Sequence, residues 1–486
     1  MKYDKYSIQS IFDYSKQLIG HSLREVVSEE KQQASRLQGQ GKGGLEQMIE
    51  ELFFEYPINS DPGPDFKEAG LELKGTGLYR QKSGELQIKE RLVCDMIDYC
   101  AVVEENFDNS LFYLKCRIML LIFYLYEKDV NKWDLRYIYT VIWQIPEKDL
   151  IIIKRDFYII VNKIKAGKAH LLSEGDTEYL AACRKGNKDD KPRIQPFSDI
   201  LAPKRAFSLK MTYMRTVLDY VKGTGKTAVS NIDFPSLRNG LFTADELNYK
   251  DIEDLILCRL KKWYGKSISE IMAYYNPRAN TEDYAINYRA ASAIISDGLY
   301  GCGKDGYGFI EKAEEFEKSG LRLKTIPMYK SGNLKEHMSY ENIDYEEIYS
   351  NDNWFDSTTY ELFTSRFLFV VFQHPTIDSG PFTNSKKDQV LKSAFFWTMP
   401  QKDLDIAEEY WEDIRKHVLA NEICLDSFWS SEWSEKNGKN FHVRPKGTRE
   451  RYKLAAENPN GGKADKYCYW FNKKYVEKII NENETK

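Results

Sequence analysis

Apolar positions recur at helical spacing over Ile8 to Val27, with Ile8, Ile11, Phe12, Leu18 and Ile19 on one side. The same spacing returns over Leu45 to Phe54, where Met48, Ile49, Leu52 and Phe53 share a face, and over Ile151 to Ile164 and Met211 to Val221. Elsewhere the period shortens. From Asp65 onward the pattern has strand character, and the apolar, aromatic run Leu111 to Tyr126 predicts a central strand. Strands and helices mixed in this way imply α/β or mixed α+β layers. The most apolar stretch, Ile118 to Tyr126, is bounded by Arg117 and Glu127. It is less than half the roughly 20 residues a helix needs to cross a bilayer, so it reads as core.

The pattern also repeats along the chain. Gly20-His21-Ser22-Leu23-Arg24-Glu25-Val26 matches Gly265-Lys266-Ser267-Ile268-Ser269-Glu270-Ile271, and Asp65 to Lys74 matches Glu315 to Lys324. Cys183-Arg184-Lys185-Gly186 then matches Arg444-Pro445-Lys446-Gly447, and Phe207 to Lys210 matches Trp470 to Lys473. The matches keep their order while the offset grows only from 245 to 263. This implies two homologous domains in tandem, 1–222 and 248–486, joined by a Gly-, Ser-, Asn- and Pro-rich linker over 223–247. A chain of 486 residues suits two such cores.

Composition narrows the class. Charged residues at 30% argue for a soluble protein, and no stretch reads as a leader or membrane span. Eight cysteines without a Cys-x-x-Cys spacing read as free thiols in a reducing cytoplasm, and six scattered histidines argue against zinc. Net charge is −4, but it is segregated. Arg184 to Lys226 holds eleven Lys or Arg against four Asp, and Glu435 to Lys453 seven against two Glu. Such blocks can line basic grooves on a mildly acidic protein, although charge runs are as often plain solvated faces. Gly223-Thr224-Gly225-Lys226-Thr227 suggests a phosphate loop, but Tyr220 stands where that loop requires glycine, so no nucleotide-cofactor site is expected.

The sharpest chemistry lies early. Pro64-Asp65 is followed after six residues by Glu72-Leu73-Lys74. On a strand Glu72 and Lys74 share one face while Leu73 enters the core. Two carboxylates can hold Mg²⁺, a hard ion that prefers oxygen, and a lysine beside them can orient an attacking water during phosphodiester displacement. Glu50, on the preceding helical stretch, adds a third carboxylate. A Glu-x-Lys tripeptide alone is more often a solvated strand edge.

These residues resemble the family of the mismatch-repair nicking endonuclease MutH and the two-domain type II restriction endonucleases related to it. The similarity runs through Lys42-Gly43 to Glu50, the Asp-x6-Glu-x-Lys spacing of Asp65 to Lys74, Ser173-Glu174-Gly175 through Leu180, Lys185-Gly186 and Arg205 to Lys210. In the second half it includes Leu321 to Pro327 and His442 to Lys446. The resemblance implies two restriction-endonuclease-like domains, each a central mixed sheet flanked by helices. It makes Asp65 and Glu72 metal ligands, Lys74 the catalytic lysine and Glu50 an accessory carboxylate. It puts Lys42, Lys115, Arg117, Arg184, Lys185 and Lys210 near DNA, and it implies double-strand cleavage at GATC. Cys183-Arg184-Lys185 departs from the family's Arg-Pro-Lys, and Ser208 replaces an aromatic residue, which leaves base reading by the first domain open.

In the second half Asp65 becomes Glu315 and Glu72 becomes Arg322, while Lys324 stays. A guanidinium cannot ligate Mg²⁺. Arg444-Pro445-Lys446 keeps an arginine suited to guanine O6 and N7. The second domain is therefore expected to bind another DNA site through Arg444, Lys446 and Lys473 without cutting it, as an allosteric effector. Simultaneous binding of two sites and a DNA-induced dimer follow as expectations. The rival readings are a strand-nicking repair nuclease and a DNA-binding regulator with a decayed nuclease fold.

Overall fold

Met119, Leu120, Leu121, Ile122 and Phe123 are all fully buried, as befits a strand covered on both faces. Each contributes about 1.5–3 kcal/mol through burial. They belong to β4 (Ile118–Leu125), the middle of a five-stranded mixed sheet ordered β10-β5-β4-β1-β2. Its other strands are β1 (Glu72–Arg80), β2 (Leu86–Ile88), β5 (Tyr137–Gln144) and β10 (Thr227–Val229). β1 runs parallel to β4, with Glu72 opposite Met119 and Lys74 opposite Leu121, and β5 runs antiparallel to β4. One core joins Ile11, Phe12, Ile49, Phe53, Phe66, Leu73 and Leu120. Leu73 thus points inward, as strand alternation requires, and leaves Glu72 and Lys74 on the opposite face.

The structure, a computed structural model, describes residues 2–34, 44–57, 62–81, 84–127, 129–186, 190–224, 227–229, 240–302, 309–382, 385–424, 432–445 and 456–484. Two compact units are present: Met1–Tyr249 with Glu314–Gly320, and Lys250–Ala313 with Leu321–Lys486. In the first, the five-stranded sheet is followed by a 19-residue helix, Glu147–Lys165, that starts after Pro146. A second sheet, β3-β9-β6, comprises β3 (Leu92–Met96), β6 (Leu180–Arg184) and β9 (Arg205–Leu209). Phe157 of the helix stacks on Phe207 of β9 at 5.4 Å. A hairpin of β7 (Arg193–Gln195) and β8 (Ser198–Ala202) follows β6, and the helix Met211–Thr224 follows β9.

The segment Glu314–Gly320 is bound into the first unit by buried ion pairs. Lys318 contacts Asp149 (2.7 Å) and Glu314 (2.6 Å), and Lys148 contacts Glu315 (2.8 Å). Glu315, matched in sequence to Asp65, is fully buried there and accepts from the N–H of Leu241 (2.8 Å).

The second unit repeats the order of three strands of the first sheet, β1-β4-β5. β11 (Arg322–Met328) lies parallel to β13 (Phe367–Gln373), which lies antiparallel to β14 (Val390–Trp397). A 19-residue helix, Gln401–Leu419, again starts after a proline, Pro400. The sheet β12-β18-β15 comprises β12 (Met338–Asn342), β15 (Phe441–Pro445) and β18 (Tyr467–Phe471), and the helix Lys473–Glu484 follows. A short pair, β16 (Ala456–Glu457) and β17 (Lys463–Ala464), completes the strands. The architecture is mixed α/β in both units, and Tyr469 and Trp470 of β18 are buried. Among the described residues no helix is long and apolar enough to cross a membrane.

Three local expectations change. Leu111 to Tyr126 is not one strand: Leu111–Cys116 is a helix, because the Ser110 side chain accepts from Tyr113 N–H and caps it, and the strand begins only at Ile118. Ile8 to Val27 is not one helix. It stops as Ile8–Ser15 plus a 3₁₀ turn, Lys16–Leu18, because Gly20 turns left-handed (φ 84°) and its N–H bonds Tyr137 O (2.8 Å) at the edge of β5. Leu23–Val26 restarts it behind a Ser22–Glu25 capping box. Gly44–Met48 continues into a π-helical turn, Ile49–Phe53, rather than a regular helix to Phe54.

Candidate active site

The six residues between Asp65 and Glu72 form a closed loop. Phe66 N–H donates to Leu71 O (2.9 Å), Leu71 N–H donates back to Phe66 O (3.2 Å), and Gly70 supplies the left-handed turn (φ 64°). Buried Phe66 pins this loop to the core. Asp65 is thereby folded back onto the start of β1. Its N–H donates to Glu72 Oε2 (3.1 Å), and its Oδ2 accepts from Leu73 N–H (2.9 Å). Lys74 Nζ donates to Glu72 Oε1 (2.6 Å) across the shared face.

Glu50, on the π-helical turn, is buried and lies within electrostatic reach of Asp65, Glu72 and Glu46. Burial, then the neighbouring carboxylates Asp65, Glu72 and Glu46, push Glu50 up to about 8, against the opposing charge of Lys74. Burial, with Asp65 adding to it and Lys74 opposing, pushes Glu72 up to about 7. Burial disfavours the Lys74 ammonium, yet the charges of Glu46, Glu72 and Asp65 outweigh it and hold the group above its ordinary range. The site therefore gathers four carboxyl groups around one ammonium, and burial with mutual repulsion makes Glu50 and Glu72 hold their protons until a cation joins them; these hard oxygen donors fit a divalent ion such as Mg²⁺. Among the described residues no three side chains already converge as a ligand set. Glu72 is turned to Lys74, and Asp65 Oδ2 is engaged with the backbone.

Three neighbours complete the surroundings. Glu46, one helical turn before Glu50, accepts from Gly75 N–H (2.8 Å) and lies 4.0 Å from Lys74 Nζ. Sequence spacing does not single it out: its i, i+4 relation to Glu50 puts both on one helical face, but only the fold brings it to Gly75 and Lys74. Lys115 pairs with Asp95 (3.0 Å) and contributes to the field at Glu72. Arg117 is exposed at the end of the Leu111–Cys116 helix, 3.5 Å from where a Cβ on Gly70 would lie.

The other basic positions stand apart from this cluster. Arg184 ends β6 opposite Arg205, and Lys185 N–H bonds Lys204 O (2.9 Å). Lys210 follows β9 and its ammonium bonds Thr177 O. Lys42 and Lys446 lie outside the described residues.

In the second unit Arg322 begins β11 as Glu72 begins β1. It donates Nε–H to Ser365 Oγ (3.0 Å) and pairs with Glu341. Lys324 bonds Ser339 O (3.0 Å) and covers the Tyr340 ring at 4.2 Å. Arg444 lies over the Trp470 ring at 4.1 Å and is held by Glu435 (2.6 Å). Glu435 also meets His337 Nε2 (3.0 Å), whose Nδ1 accepts from Lys473 N–H (3.0 Å). The Arg444 guanidinium and the Lys473 backbone N–H thus meet in one cluster with Glu435, His337 and Trp470, and of these His337 carried no signal in the sequence.

A mixed sheet that carries Glu-x-Lys on an inner strand, with an aspartate looped back upon it, defines a nuclease with the restriction-endonuclease fold. The family model for the DNA mismatch repair enzyme MutH matches residues 54–156, which contain Asp65, Glu72 and Lys74. The chain is also 33% identical over 503 residues to the type II restriction enzyme Sau3AI of Staphylococcus aureus, a match that covers 98% of this chain and 95% of that relative. The chain belongs to the MutH-like type II restriction enzymes and is a site-specific deoxyribonuclease.

Proposed function

We propose that this restriction enzyme makes Mg²⁺-dependent double-strand cuts at GATC, before the G, in the cytoplasm. Its first domain performs the chemistry and its second binds another copy of the site as an effector. The observation that carries the catalytic assignment is the Asp65–Glu72–Lys74 arrangement on β1, with buried Glu50 beside it. Asp65 and Glu72 would hold the ion, with Glu50 as an accessory carboxylate. When bound, Mg²⁺ offsets the charge that builds on the scissile phosphate. Lys74, with three donors on the same face, orients the attacking water or a phosphate oxygen. Lys115 and Arg117, at the end of the helix before β4, suit contacts to the flanking phosphates, as do Lys42, Arg184, Lys185 and Lys210.

The effector reading rests on the second unit. Its β11-β13-β14 repeats the order β1-β4-β5 of the first, yet a guanidinium stands at the start of β11 where β1 has a carboxylate. Arg444, held over Trp470 and by Glu435, is preorganised for a planar partner such as a guanine edge, with Lys446 two residues on in the sequence and Lys473 just past the end of the neighbouring strand to meet phosphate. Two sites bound at once, or a dimer formed on DNA, follow from this division of labour.

Plasmid cleavage tests the reading directly. With Mg²⁺, linear product with mapped ends before the G of GATC is expected, faster on two-site than on one-site plasmid. Nicked product would indicate single-strand cutting, and ends at another sequence would remove the GATC assignment.

A further inference from the structure

Glu46 has no place in the Asp-x6-Glu-x-Lys pattern, yet it bridges the two sides of the site. One carboxylate oxygen accepts from Gly75 N–H (2.8 Å), directly after Lys74, and the other stands 4.0 Å from Lys74 Nζ. Gly75 permits this approach. A Cβ at position 75 would lie 3.3 Å from Glu46 Cγ and 3.7 Å from Oε1, a spacing at which the glutamate side chain must give way. The Lys74 ammonium is almost buried, with 11% of its side chain exposed, and at rest its short partner is Glu72 (2.6 Å). Glu72 cannot serve both that ammonium and a metal ion at full strength. Once Glu72 turns to a cation, a nearly buried ammonium is left needing a partner. Among the described residues, Glu46 is the remaining carboxylate in ion-pair range.

We propose that Glu46 is a positioning residue for Lys74: anchored on Gly75 N–H, its carboxylate takes over the Lys74 ammonium when Glu72 is drawn to the metal, and so fixes Nζ toward the scissile phosphate. The inference rests on the catalytic reading of Lys74 given above. It requires the charge of Glu46, not merely its acceptor oxygen. Glu46→Gln keeps an oxygen for Gly75 N–H and removes the charge, so it separates the two roles.

The test uses the full-length protein and single-turnover cleavage of a GATC duplex at saturating DNA and Mg²⁺. Glu46→Gln is expected to slow cleavage by about 30- to 100-fold, the scale of a catalytic group misplaced by roughly 1 Å. DNA affinity measured with Ca²⁺ stays within about twofold, on the expectation that a remote positioning residue leaves ground-state binding intact. Gly75→Ala, which crowds Glu46 out, should slow cleavage similarly and add nothing to Glu46→Gln, because both act through one contact. A metal-free readout comes from thermal unfolding. In a Glu72→Gln background, which leaves Lys74 with Glu46 alone, Glu46→Gln should lower Tm by about 2–4 °C. That loss should vanish when Lys74→Met is added.

Cleavage by Glu46→Gln within threefold of wild type overturns the inference, as does a tenfold or larger shift in half-saturating Mg²⁺, which would make Glu46 a ligand. Lys74→Ala is the control. If Lys74→Ala cuts normally, the catalytic reading of Lys74 fails; if it is inactive while Glu46→Gln is normal, only the role of Glu46 fails.

Discussion

Lys74 donates to Glu72 Oε1 at 2.6 Å from two positions along the same strand, with 11% and 3% of the two side chains exposed. A nearly dry ion pair between two residues of one active face is a resting arrangement. It satisfies both charges in the protein alone, and it must open for either residue to meet a substrate or an ion.

The first prediction follows from that pair and from Asp65. Asp65→Asn, Glu72→Gln and Lys74→Ala are each expected to reduce cleavage by at least about 10³-fold, as losses of groups that act together in the transition state. None reaches a groove contact in the proposed reading, so specific binding in gel-shift assays with Ca²⁺ should persist. Lys74→Ala should also lower stability, because it leaves buried Glu72 without its cation. Turnover close to wild type by any of the three would refute its assigned role.

Metal removal supplies the second. Chelation with excess EDTA should abolish cleavage, and Mg²⁺ should restore it fully. Glu46, Glu50, Asp65 and Glu72 crowd oxygen donors around Lys74, and burial with mutual repulsion raises Glu50 and Glu72, so a bound Mg²⁺ should relieve that crowding and raise Tm even without DNA. Asp65→Asn should shrink that increment. An undiminished increment in the variant would place the ion elsewhere.

The catalytic strand was legible because period-2 alternation makes Glu72 and Lys74 face together, and because a six-residue spacing is the length of the loop closed by Phe66 and Leu71. Leu111 to Tyr126 misled because hydrophobicity is continuous through it. The break is set by the Ser110 cap, a single hydrogen bond that carries no periodic signal. Glu46 was hidden for another reason. Its significance depends on Gly75, 29 residues away, and only the folded register brings them to 2.8 Å. The same holds for Glu314–Gly320, whose packing on Asp149 and Lys148 in the first unit is set by contacts more than 160 residues apart in sequence.

The third prediction concerns acid stability. His442 is fully buried, stacks on Trp470 (14°, centroids 6.0 Å apart) and meets His337 edge-on at 4.8 Å. Neither ring nitrogen has a partner among the described residues. Burial, then the charges of His337 and Arg444, press its pKa down to about 4, with Glu435 opposing. The unfolded chain takes this proton near 6.5. The contribution to stability is therefore complete above pH ~6.5 and is lost as the pH falls toward 4. Denaturant midpoints should fall between pH 7 and 5, and His442→Phe, which keeps a ring of similar shape, should flatten that slope. An unchanged slope in the variant would assign the acid loss to other groups.

The last prediction separates the roles of the two units. Arg444 is held by the Trp470 face and by Glu435, so its guanidinium is oriented before DNA arrives. Loss of one bidentate arginine–guanine contact costs about 1–3 kcal/mol of discrimination, or roughly 5- to 150-fold in affinity for the site it reads. Arg444→Ala should therefore weaken effector-site binding by that factor while Asp65, Glu72 and Lys74 remain intact. The expected kinetic consequence is slower cleavage of two-site plasmid, with the rate on one-site plasmid nearly unchanged. Arg444→Lys should not rescue it, since an ammonium cannot form the planar pair or stack as a guanidinium does. Because Glu314–Gly320 packs within the first unit, deleting the second half would also strip Lys318 from Asp149, and point substitution is the cleaner probe. If Arg444→Ala slows one-site and two-site plasmids equally, Arg444 serves cleavage or stability generally, and the effector role is refuted.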